Sequence, residues 1–540
     1  MTSEINTGCL LTVLMIMKKT YQGLLLTFSL YSIGAVGAIQ GPINVTGGMI
    51  EGKLSADKQL SIFQGIPYAA PPVGELRWKK PQPVNKWSGV KKTDTFAAGC
   101  MQKVVTGDKL PWTSEFLHQG PMSEDCLYLN IWSPAQSDKD KLPVIVFIHG
   151  GGFVEGSGSV PIYDGENLAR KNVIFVNINY RLGVFGFLTL EELTKESGSS
   201  GNYALYDQIA ALHWIKDNID KFGGDSNNIT IMGQSAGANS IVVLNASPLA
   251  RGLYNKAIME SAPGSTISNY GIRPAESLGI PLADAERKVS QWAKSNGYSS
   301  LSDLRNAPAN QLVEKFAINT PIKGAVIDGA LLPMQIAEIY KKNRQNDVPV
   351  LAGMNKDERG SESDYGKWNV NDLDSYAKKY YGEHLNTFHA LYKADDSHDV
   401  AVVQKDILRD ERLYAMKWMA HLRIHYGNQP NYLYFFGKAI PWQEHPNFGV
   451  FHSSELPYVL NNQSKLNRKW DATDKALGNV MSSYWVNFAT SGNPNGHGLP
   501  VWKSYSQNEK SVICLDKDIN MCNLLNKDKE DLIAGKKESL

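Results

Sequence analysis

A five-residue run, Gly233-Gln234-Ser235-Ala236-Gly237, has the residue types and spacing of a turn that exposes a nucleophilic serine. The apolar, β-branched stretch from Ile229 to Met232 predicts a buried strand before the run, and residues 236–245 predict a helix after it. A G-x-S-x-G sequence between a strand and a helix is the context of a nucleophile elbow. From composition alone, roughly 0.3 chance matches to the G-x-S-x-G pattern are expected in a chain of this length. The prediction therefore rests on the strand and the helix that flank the run.

A glycine run, His149-Gly150-Gly151-Gly152-Phe153, is the second feature that could do chemistry, and it directly follows the apolar stretch from Val144 to Ile148. Preorganised backbone N–H groups stabilise the negative charge of a tetrahedral intermediate, and glycines let the backbone approach the substrate closely. The run predicts an oxyanion hole formed by the N–H groups of Gly151, Gly152 and Ala236. A phosphate-binding loop is the alternative, but no Lys-Ser or Lys-Thr pair follows and no dinucleotide-binding fingerprint is present.

Two adjacent acids, Asp357 and Glu358, are candidates for the carboxylate of such a site. A serine hydroxyl needs a base to take its proton, and the base needs an acid to orient it. In this type of fold the acid and then the histidine follow the serine in the chain. Val348 to Gly353 predicts a strand that ends shortly before the two acids, at the strand end where ligand sites gather in open α/β sheets.

His452 is the candidate for the base, because it follows a short apolar stretch and precedes a turn-forming Ser-Ser pair. His445 and His497 remain alternatives, and the histidines of residues 384–425 lie in polar, helix-forming sequence that predicts structural roles. None of the histidines is spaced with cysteine or acidic residues as in a zinc site. We therefore predict neither a metal nor a cofactor.

The composition is that of a globular chain without a charge excess. Its 540 residues are 42% hydrophobic and carry a formal net charge of +1. This length can bury a large core, and α/β folds of such size often form one unit. The balance of acidic and basic residues gives no electrostatic basis for binding nucleic acid.

The proline-rich stretch Gly65 to Gly74 predicts an extended surface segment.

The amino-terminal segment has the pattern of an export signal. Lys18-Lys19 precede an apolar run from Leu24 to Val36, and the small residues that end it predict cleavage after Ala38. Met17 stands just before the lysines, so residues 1–16 could lie upstream of the natural start. The apolar run is short for a membrane span, which favours a cleaved signal over an uncleaved membrane anchor, the alternative interpretation. We expect a periplasmic or secreted protein whose mature chain has no stable membrane insertion.

Four of the five cysteines lie beyond this segment, and an even number of cysteines in an exported chain favours disulfides. Cys100 and Cys126 flank a polar stretch rich in Gly, Pro and Ser. Cys514 and Cys522 lie close together near the carboxyl end, and they either pair or remain free thiols. Unpaired, buried thiols are also the alternative for the first two cysteines.

Longer motifs make the chain resemble the type-B carboxylesterases, a family of α/β-hydrolases that also contains the cholinesterases. The resemblance runs from about Ile43 to Trp502. It rests on the elbow and on five further motifs: Phe63 to Ala69, Ser123 to Asn130, Gly150 to Gly152, Asn179-Tyr180-Arg181 and Phe222 to Asp225. It implies an α/β fold with a large, mostly parallel central sheet flanked by helices, and with helical insertions over the active site.

The resemblance also implies roles for individual residues. The acid of the family pattern falls on Glu358, and a similar His-x-x-Glu-Leu context places the base at His452. The family pattern implies a disulfide between Cys100 and Cys126 that closes a loop over the mouth of the site. Two positions depart from the family, because Gln234 replaces the usual Glu and Arg359 replaces the usual Gly.

These patterns predict a serine carboxylic-ester hydrolase that acts on a small-molecule ester by two-step acyl transfer. The choline-binding Trp of cholinesterases corresponds to Phe116, with Trp112 nearby, so a choline ester is not expected. The alternatives are a non-catalytic binding protein on the same scaffold and a hydrolase that acts mainly on amides or lipids. We predict a leader over residues 1–38, one domain over 39–525 and a polar tail over 526–540. The charge of this tail favours either a frayed end or a terminal surface helix. The oligomeric state is not predicted.

Overall fold

A computed structural model describes residues 38–39, 41–105, 109–262, 279–318, 321–322, 324–394 and 397–535. The predicted leader, apart from Ala38, lies outside these residues, and the leader therefore stays a prediction.

The strands of the described residues fall mostly into one large sheet. In chain order they are β1 Ile43–Val45, β2 Gly48–Glu51, β3 Lys53–Leu54, β4 Ser61–Pro67, β5 Val90–Lys92, β6 Gly99–Cys100, β7 Met122–Ser123, β8 Tyr128–Ser133, β9 Leu142–Ile148, β10 Ile174–Ile178, β11 Gly224–Gln234, β12 Lys256–Glu260, β13 Ile280–Pro281, β14 Val326–Ile327, β15 Val350–Asn355, β16 Asn431–Phe436, β17 Val512–Leu515 and β18 Asn520–Cys522.

The large sheet has the strand order β18-β17-β16-β15-β12-β11-β9-β10-β8-β4-β3. Neighbouring strands from β17 to β10 run parallel. Antiparallel pairs extend the sheet at both ends. The mostly parallel sheet predicted for the central region is confirmed.

Helices flank this sheet, and they make up more than half of the described residues between β12 and β16. In chain order the α-helices of the described residues are α1 Glu166–Ala169, α2 Gly183–Phe187, α3 Glu191–Ser197, α4 Tyr203–Asn218, α5 Ala236–Ala246, α6 Leu282–Ser295, α7 Leu301–Asn306, α8 Ala309–Ile318, α9 Ile336–Lys341, α10 Val370–Tyr381, α11 Leu385–Leu391, α12 Ser397–Tyr426, α13 Leu456–Val459, α14 Ala472–Ser491 and α15 Lys527–Ala534.

Strand β9 shows why the sheet lies inside the protein. Every residue of β9 is buried, and its side chains alternate between two core clusters. Val144 and Val146 belong to one cluster, whereas Ile145 and Phe147 belong to the other. Because successive side chains of a strand point to opposite faces, the two clusters cover both faces of the sheet.

The register of the parallel strands brings three loops to one edge of the sheet. Ile148 at the end of β9 pairs with Gly233 of β11. Gln234 pairs with Glu260 of β12, which in turn pairs with Gly353 of β15. Since the carboxyl ends of parallel strands meet at the same edge, the loops after β9, β11 and β15 are neighbours.

Two segments differ from their sequence-based descriptions. The stretch from Gly65 to Gly74 is extended at first, but residues 66–70 are buried rather than exposed. The hydroxyl of Tyr68 donates to the carbonyl oxygen of Asn179 at 2.8 Å, which holds this segment against the sheet. The polar tail forms a terminal helix, α15, which is one of the two predicted alternatives, but Leu532 and Ile533 of this helix are buried rather than at the surface.

Candidate active site

Ser235 lies at a sharp turn between β11 and α5. Its backbone has φ 57° and ψ −120°, a conformation that is strained for a residue other than glycine. Two hydrogen bonds of 2.9 Å hold the turn: the N–H of Ser235 donates to Glu260 O, and Ser235 O accepts from the N–H of Asn239. This is the backbone geometry that a nucleophile elbow requires.

Two glycines allow the strand and the helix to approach each other around Ser235. A Cβ atom on Gly233 would lie 2.6 Å from the carbonyl carbon of Gly237. A Cβ atom on Gly237 would lie only 1.9 Å from Ile148 O at the end of β9. The spacing of the G-x-S-x-G run is therefore a steric requirement of this turn.

The glycine run after β9 packs directly against the elbow. A Cβ atom on Gly150 would lie 2.8 Å from Oε1 of Gln234, and one on Gly151 would lie 2.0 Å from Glu155 O. Gly151 has φ 100° and Gly152 has φ 61°, both in the region that favours glycine. The run therefore presents main chain, rather than side chains, to the space beside Ser235.

Glu358 and His452 form a hydrogen-bonded pair. Nδ1 of the imidazole donates to Oε2 of Glu358, and the other carboxylate oxygen accepts from the N–H of Asn355 at 2.8 Å. Because the carboxylate can only accept, Nδ1 carries a proton, and in the neutral imidazole the lone pair therefore lies on Nε2. Glu358 is buried, whereas the His452 side chain is 20% exposed.

Asp357 has a different role from its neighbour Glu358. Its N–H donates to Val450 O at 3.1 Å, and its Oδ2 accepts from the N–H of Val450 at 2.9 Å. Nearby, the amide of Asn355 donates to Phe451 O at 3.0 Å. These hydrogen bonds hold the loop that carries His452, the histidine loop, against the loop that carries Glu358, the acid loop.

Buried acids dominate the electrostatics behind the site. Burial opposes ionisation of Glu358, but the charge and hydrogen bond of His452, together with the charge of Arg412, lower the pKa of its carboxyl to about 2. Burial raises the pKa of Glu260, and repulsion by Glu455 raises it further. Burial likewise raises the pKa of Glu455, where the charge of Glu358 adds to the effect.

Ser235 and His452 line the same cavity, which has a volume of about 420 Å³. The glycine run Gly150 to Gly152 also lines this cavity. Other residues of its wall come from the loop between Cys100 and Cys126 and from the segment after the glycine run; they include Gln102, Lys109, Trp112, Phe116, Leu117, Val154 and Glu155. A volume of this size falls in the range of small-molecule sites.

The two alternative histidines lie elsewhere. The ring of His445 packs on Trp442, with 4.6 Å between the ring centroids, and His497 is exposed. Neither lines the cavity that contains Ser235.

Comparison with known proteins shows to which family this chain belongs. The model of the carboxylesterase family matches residues 40–533. The chain belongs to the carboxylesterase family. The fold predicted from the resemblance, an α/β-hydrolase, is thereby confirmed, and the protein is a carboxylic-ester hydrolase.

Individual carboxylesterases are similar to this esterase over most of their length. Fumonisin B1 esterase of Sphingopyxis macrogoltabida is 33% identical over 482 residues, which cover 85% of this chain and 84% of that protein. Cocaine esterase of Homo sapiens is 32% identical over 507 residues, with 86% and 85% covered. Liver carboxylesterase of Sus scrofa is 34% identical over 506 residues, with 83% and 84% covered.

The esterase contains two disulfides. Cys100 pairs with Cys126 and closes the loop that walls the cavity, as the resemblance implies. Cys514 pairs with Cys522 across the β17–β18 hairpin, which answers the question that the sequence left open. Both bonds are compatible with an exported protein.

None of the helices in the described ranges has both the length and the apolar character that a membrane span needs. No group of three or more His, Cys, Asp or Glu side chains within these ranges could hold a metal ion.

The sequence assigned no role in the site to three residues that lie close to the Glu358–His452 pair. Glu260 and Glu455 are fully buried behind the Glu358–His452 pair, and Trp112 projects from the disulfide loop to the histidine loop. Glu455 belongs to the His-x-x-Glu-Leu motif, so its position was the one available signal. The contact of Trp112 joins residues 341 positions apart, and no local pattern encodes it.

Proposed function

We propose that the esterase hydrolyses its substrate by two-step acyl transfer, with Ser235 as the nucleophile, His452 as the base and Glu358 as the orienting acid. Oγ of Ser235 forms a bond to the ester carbonyl carbon while Nε2 of His452 takes the hydroxyl proton. The C–O bond to the alcohol then breaks, and the alcohol leaves with that proton. Water attacks the acyl-enzyme in the same way, which releases the acid and restores the serine.

Gly151, Gly152 and Ala236 are the proposed donors to the oxyanion. Negative charge develops on the carbonyl oxygen as Ser235 attacks, and backbone N–H groups that already point at this position stabilise it without reorganisation. The close packing of Gly150 on Gln234 supports this assignment, because it keeps the glycine run beside the elbow.

One observation carries the proposal: a serine with a strained elbow backbone shares a cavity with a histidine that is hydrogen-bonded to a buried carboxylate. The low pKa of Glu358 supports the role of the acid, because an ionised carboxylate stabilises the imidazolium that forms when His452 takes a proton. Asp357 is engaged with the backbone of Val450, which argues against it as the acid.

Export through a signal peptide that is cleaved after Ala38 is part of the same proposal. The two disulfides support it, because such bonds persist in oxidising compartments. Mass spectrometry of the protein from culture medium or periplasm tests this point. The expected mature chain begins at Ile39.

The reaction is tested by assaying Ser235→Ala beside the parent enzyme on p-nitrophenyl esters of increasing chain length and on a matched anilide. We expect ester hydrolysis in the parent and a loss of roughly 10³-fold or more in the variant. A parent enzyme that cleaved the anilide faster than every ester would point to an amidase. Full activity of Ser235→Ala would reject the proposed nucleophile.

A further inference from the structure

One side chain of the disulfide loop contacts both chain neighbours of His452. The indole N–H of Trp112 donates to Oγ of Ser453 at 3.3 Å. The same indole lies edge-on to the ring of Phe451, with 6.3 Å between the ring centroids and 90° between the ring planes. The residues immediately before and after His452 are therefore both held by Trp112.

Ser453 is in a backbone conformation that needs such support. Its φ is 89°, within the left-handed region that favours glycine, and the residue is buried. Strained backbone persists only where surrounding contacts hold it, and it gathers at sites where geometry matters for function. The hydrogen bond from Trp112 is one of these supporting contacts. It needs the hydroxyl of Ser453, so a glycine at this position would relieve the strain but lose the bond.

The loop that carries Glu358 also holds the histidine loop. Asp357 exchanges two hydrogen bonds with the backbone of Val450, and Asn355 donates to Phe451 O. The chain around His452 is thus held between the loop that carries Glu358 and the loop that carries Trp112.

The position of Trp112 is itself fixed by contacts that its loop makes with other segments. The ammonium group of Lys109 lies 5.9 Å from the centre of the indole ring and is paired with Glu155 at 2.6 Å. Next to Trp112, the hydroxyl of Thr113 accepts from the guanidinium of Arg468 at 3.1 Å. The Cys100–Cys126 disulfide closes the loop that contains Lys109, Trp112 and Thr113.

We propose that Trp112 is a positioning residue for catalysis, which holds His452 in line with Ser235 through the hydrogen bond to Ser453. This inference rests on the proposed function, because it assumes that His452 serves Ser235. It makes the disulfide loop part of the catalytic apparatus as well as a wall of the cavity. The indole acts through the histidine loop, so its N–H contributes to the rate of the chemical step rather than to substrate affinity.

The test is a double-mutant cycle on kcat and KM with p-nitrophenyl acetate as the probe. Trp112→Phe removes the indole N–H but keeps an aromatic ring against Phe451, and Ser453→Ala removes the acceptor. Trp87→Phe is the matched control, because it removes another indole N–H, which donates to Met49 O at 2.8 Å and does not line the cavity. For the parent and for the Trp112, Ser453 and Trp87 variants, kcat is normalised to the active sites titrated with an organophosphate. Ser235→Ala is assayed alongside, with its activity normalised to protein concentration.

We expect Trp112→Phe and Ser453→Ala each to lower kcat by roughly 3- to 10-fold, the range for one hydrogen bond, with KM within about twofold. The double variant should lose no more than either single variant, because both remove the same bond. Trp87→Phe should keep the parent kcat. Unchanged kcat in Trp112→Phe, losses that multiply in the double variant, or a change confined to KM would overturn the positioning role. Activity in Ser235→Ala would instead reject the proposed function.

Discussion

The carboxylate of Glu358 accepts hydrogen bonds from two directions, one from Nδ1 of His452 and one from the backbone N–H of Asn355. The second bond fixes the carboxylate at the end of β15, so the first fixes the plane of the imidazole. Nε2 is left as the basic nitrogen of a ring that lines the same cavity as Ser235.

Replacing Glu358 by Gln should lower kcat by roughly 10³- to 10⁴-fold, because an amide cannot stabilise the imidazolium and can favour the wrong tautomer of His452. Steady-state kinetics with a p-nitrophenyl ester measures the loss. Asp357→Asn is the matched control, since it changes the adjacent acid, and we expect it to cost less than about tenfold. A larger loss in Asp357→Asn than in Glu358→Gln would transfer the role of the acid to Asp357.

The buried acids Glu260 and Glu455 should make the stability of the enzyme depend on pH. Burial raises the pKa of both carboxyls above their ordinary value of 4.5, so the folded protein holds protons that the unfolded chain releases. Their contribution to the free energy of unfolding is fully present below pH 4.5 and is lost as pH rises through the raised pKa values.

Glu455→Gln should therefore flatten this pH dependence, because glutamine keeps the shape of the protonated acid but does not titrate. Between pH 5 and pH 8 we expect the Tm of the variant to rise relative to the parent by at least about 1 °C. Glu192→Gln, at an exposed position on α3, is the control and should change neither end of the range. Parallel Tm curves for the parent and Glu455→Gln would show that Glu455 is ionised in the folded enzyme at pH 5.

Local patterns in the sequence predict the parts of the site that depend on neighbouring residues. The elbow is one such part, because Gly233 and Gly237 are required by contacts within a single turn. The glycine run is another, since it follows a strand that is apolar throughout. The proposed roles of Glu358 and His452 needed the family resemblance, because nothing local separates Glu358 from Asp357.

Contacts between distant segments could not be predicted. The meeting of Trp112 with Ser453 depends on how the disulfide loop lies across the sheet edge, and the meeting of Glu260 with Glu455 depends on the order of the strands. The burial of residues 66–70 has the same cause. Proline content correctly excludes a helix there, but only the neighbouring strands decide that the segment is covered.

Substitutions in the glycine run should separate folding from catalysis. A Cβ atom at position 151 would collide with Glu155 O, whereas a Cβ atom at position 152 would meet nothing closer than 3.9 Å. Gly151→Ala should therefore lower both Tm and activity. Gly152→Ala keeps the N–H, but the φ of 61° at this position strains an alanine and should displace that N–H. If the N–H binds the oxyanion, kcat should fall by roughly 10²- to 10³-fold, with a smaller change in Tm than in Gly151→Ala. Parent-like kcat in a Gly152→Ala enzyme whose Tm has fallen would argue against Gly152 as an oxyanion donor.

The two disulfides should differ in their effect on catalysis. Chain-entropy estimates give about 3.5 kcal/mol for the Cys100–Cys126 loop and about 2.5 kcal/mol for the shorter Cys514–Cys522 loop. Cys126→Ser should lower Tm and should also lower kcat, because the loop presents Trp112 to the histidine loop. Cys522→Ser, the control, should lower Tm and keep kcat. A parent-like kcat in Cys126→Ser would show that the loop keeps Trp112 in place without the bond.

Covalent labelling of the nucleophile tests the central claim most directly. The enzyme is treated with an organophosphate, and intact mass and peptide mapping locate the adduct. We expect one adduct per chain, on Ser235, formed as hydrolysis is lost, and no adduct on Ser235→Ala. Glu358→Gln should label far more slowly than the parent. An adduct on a different serine that accounts for the loss of activity would contradict the assignment of Ser235 and the mechanism built on it.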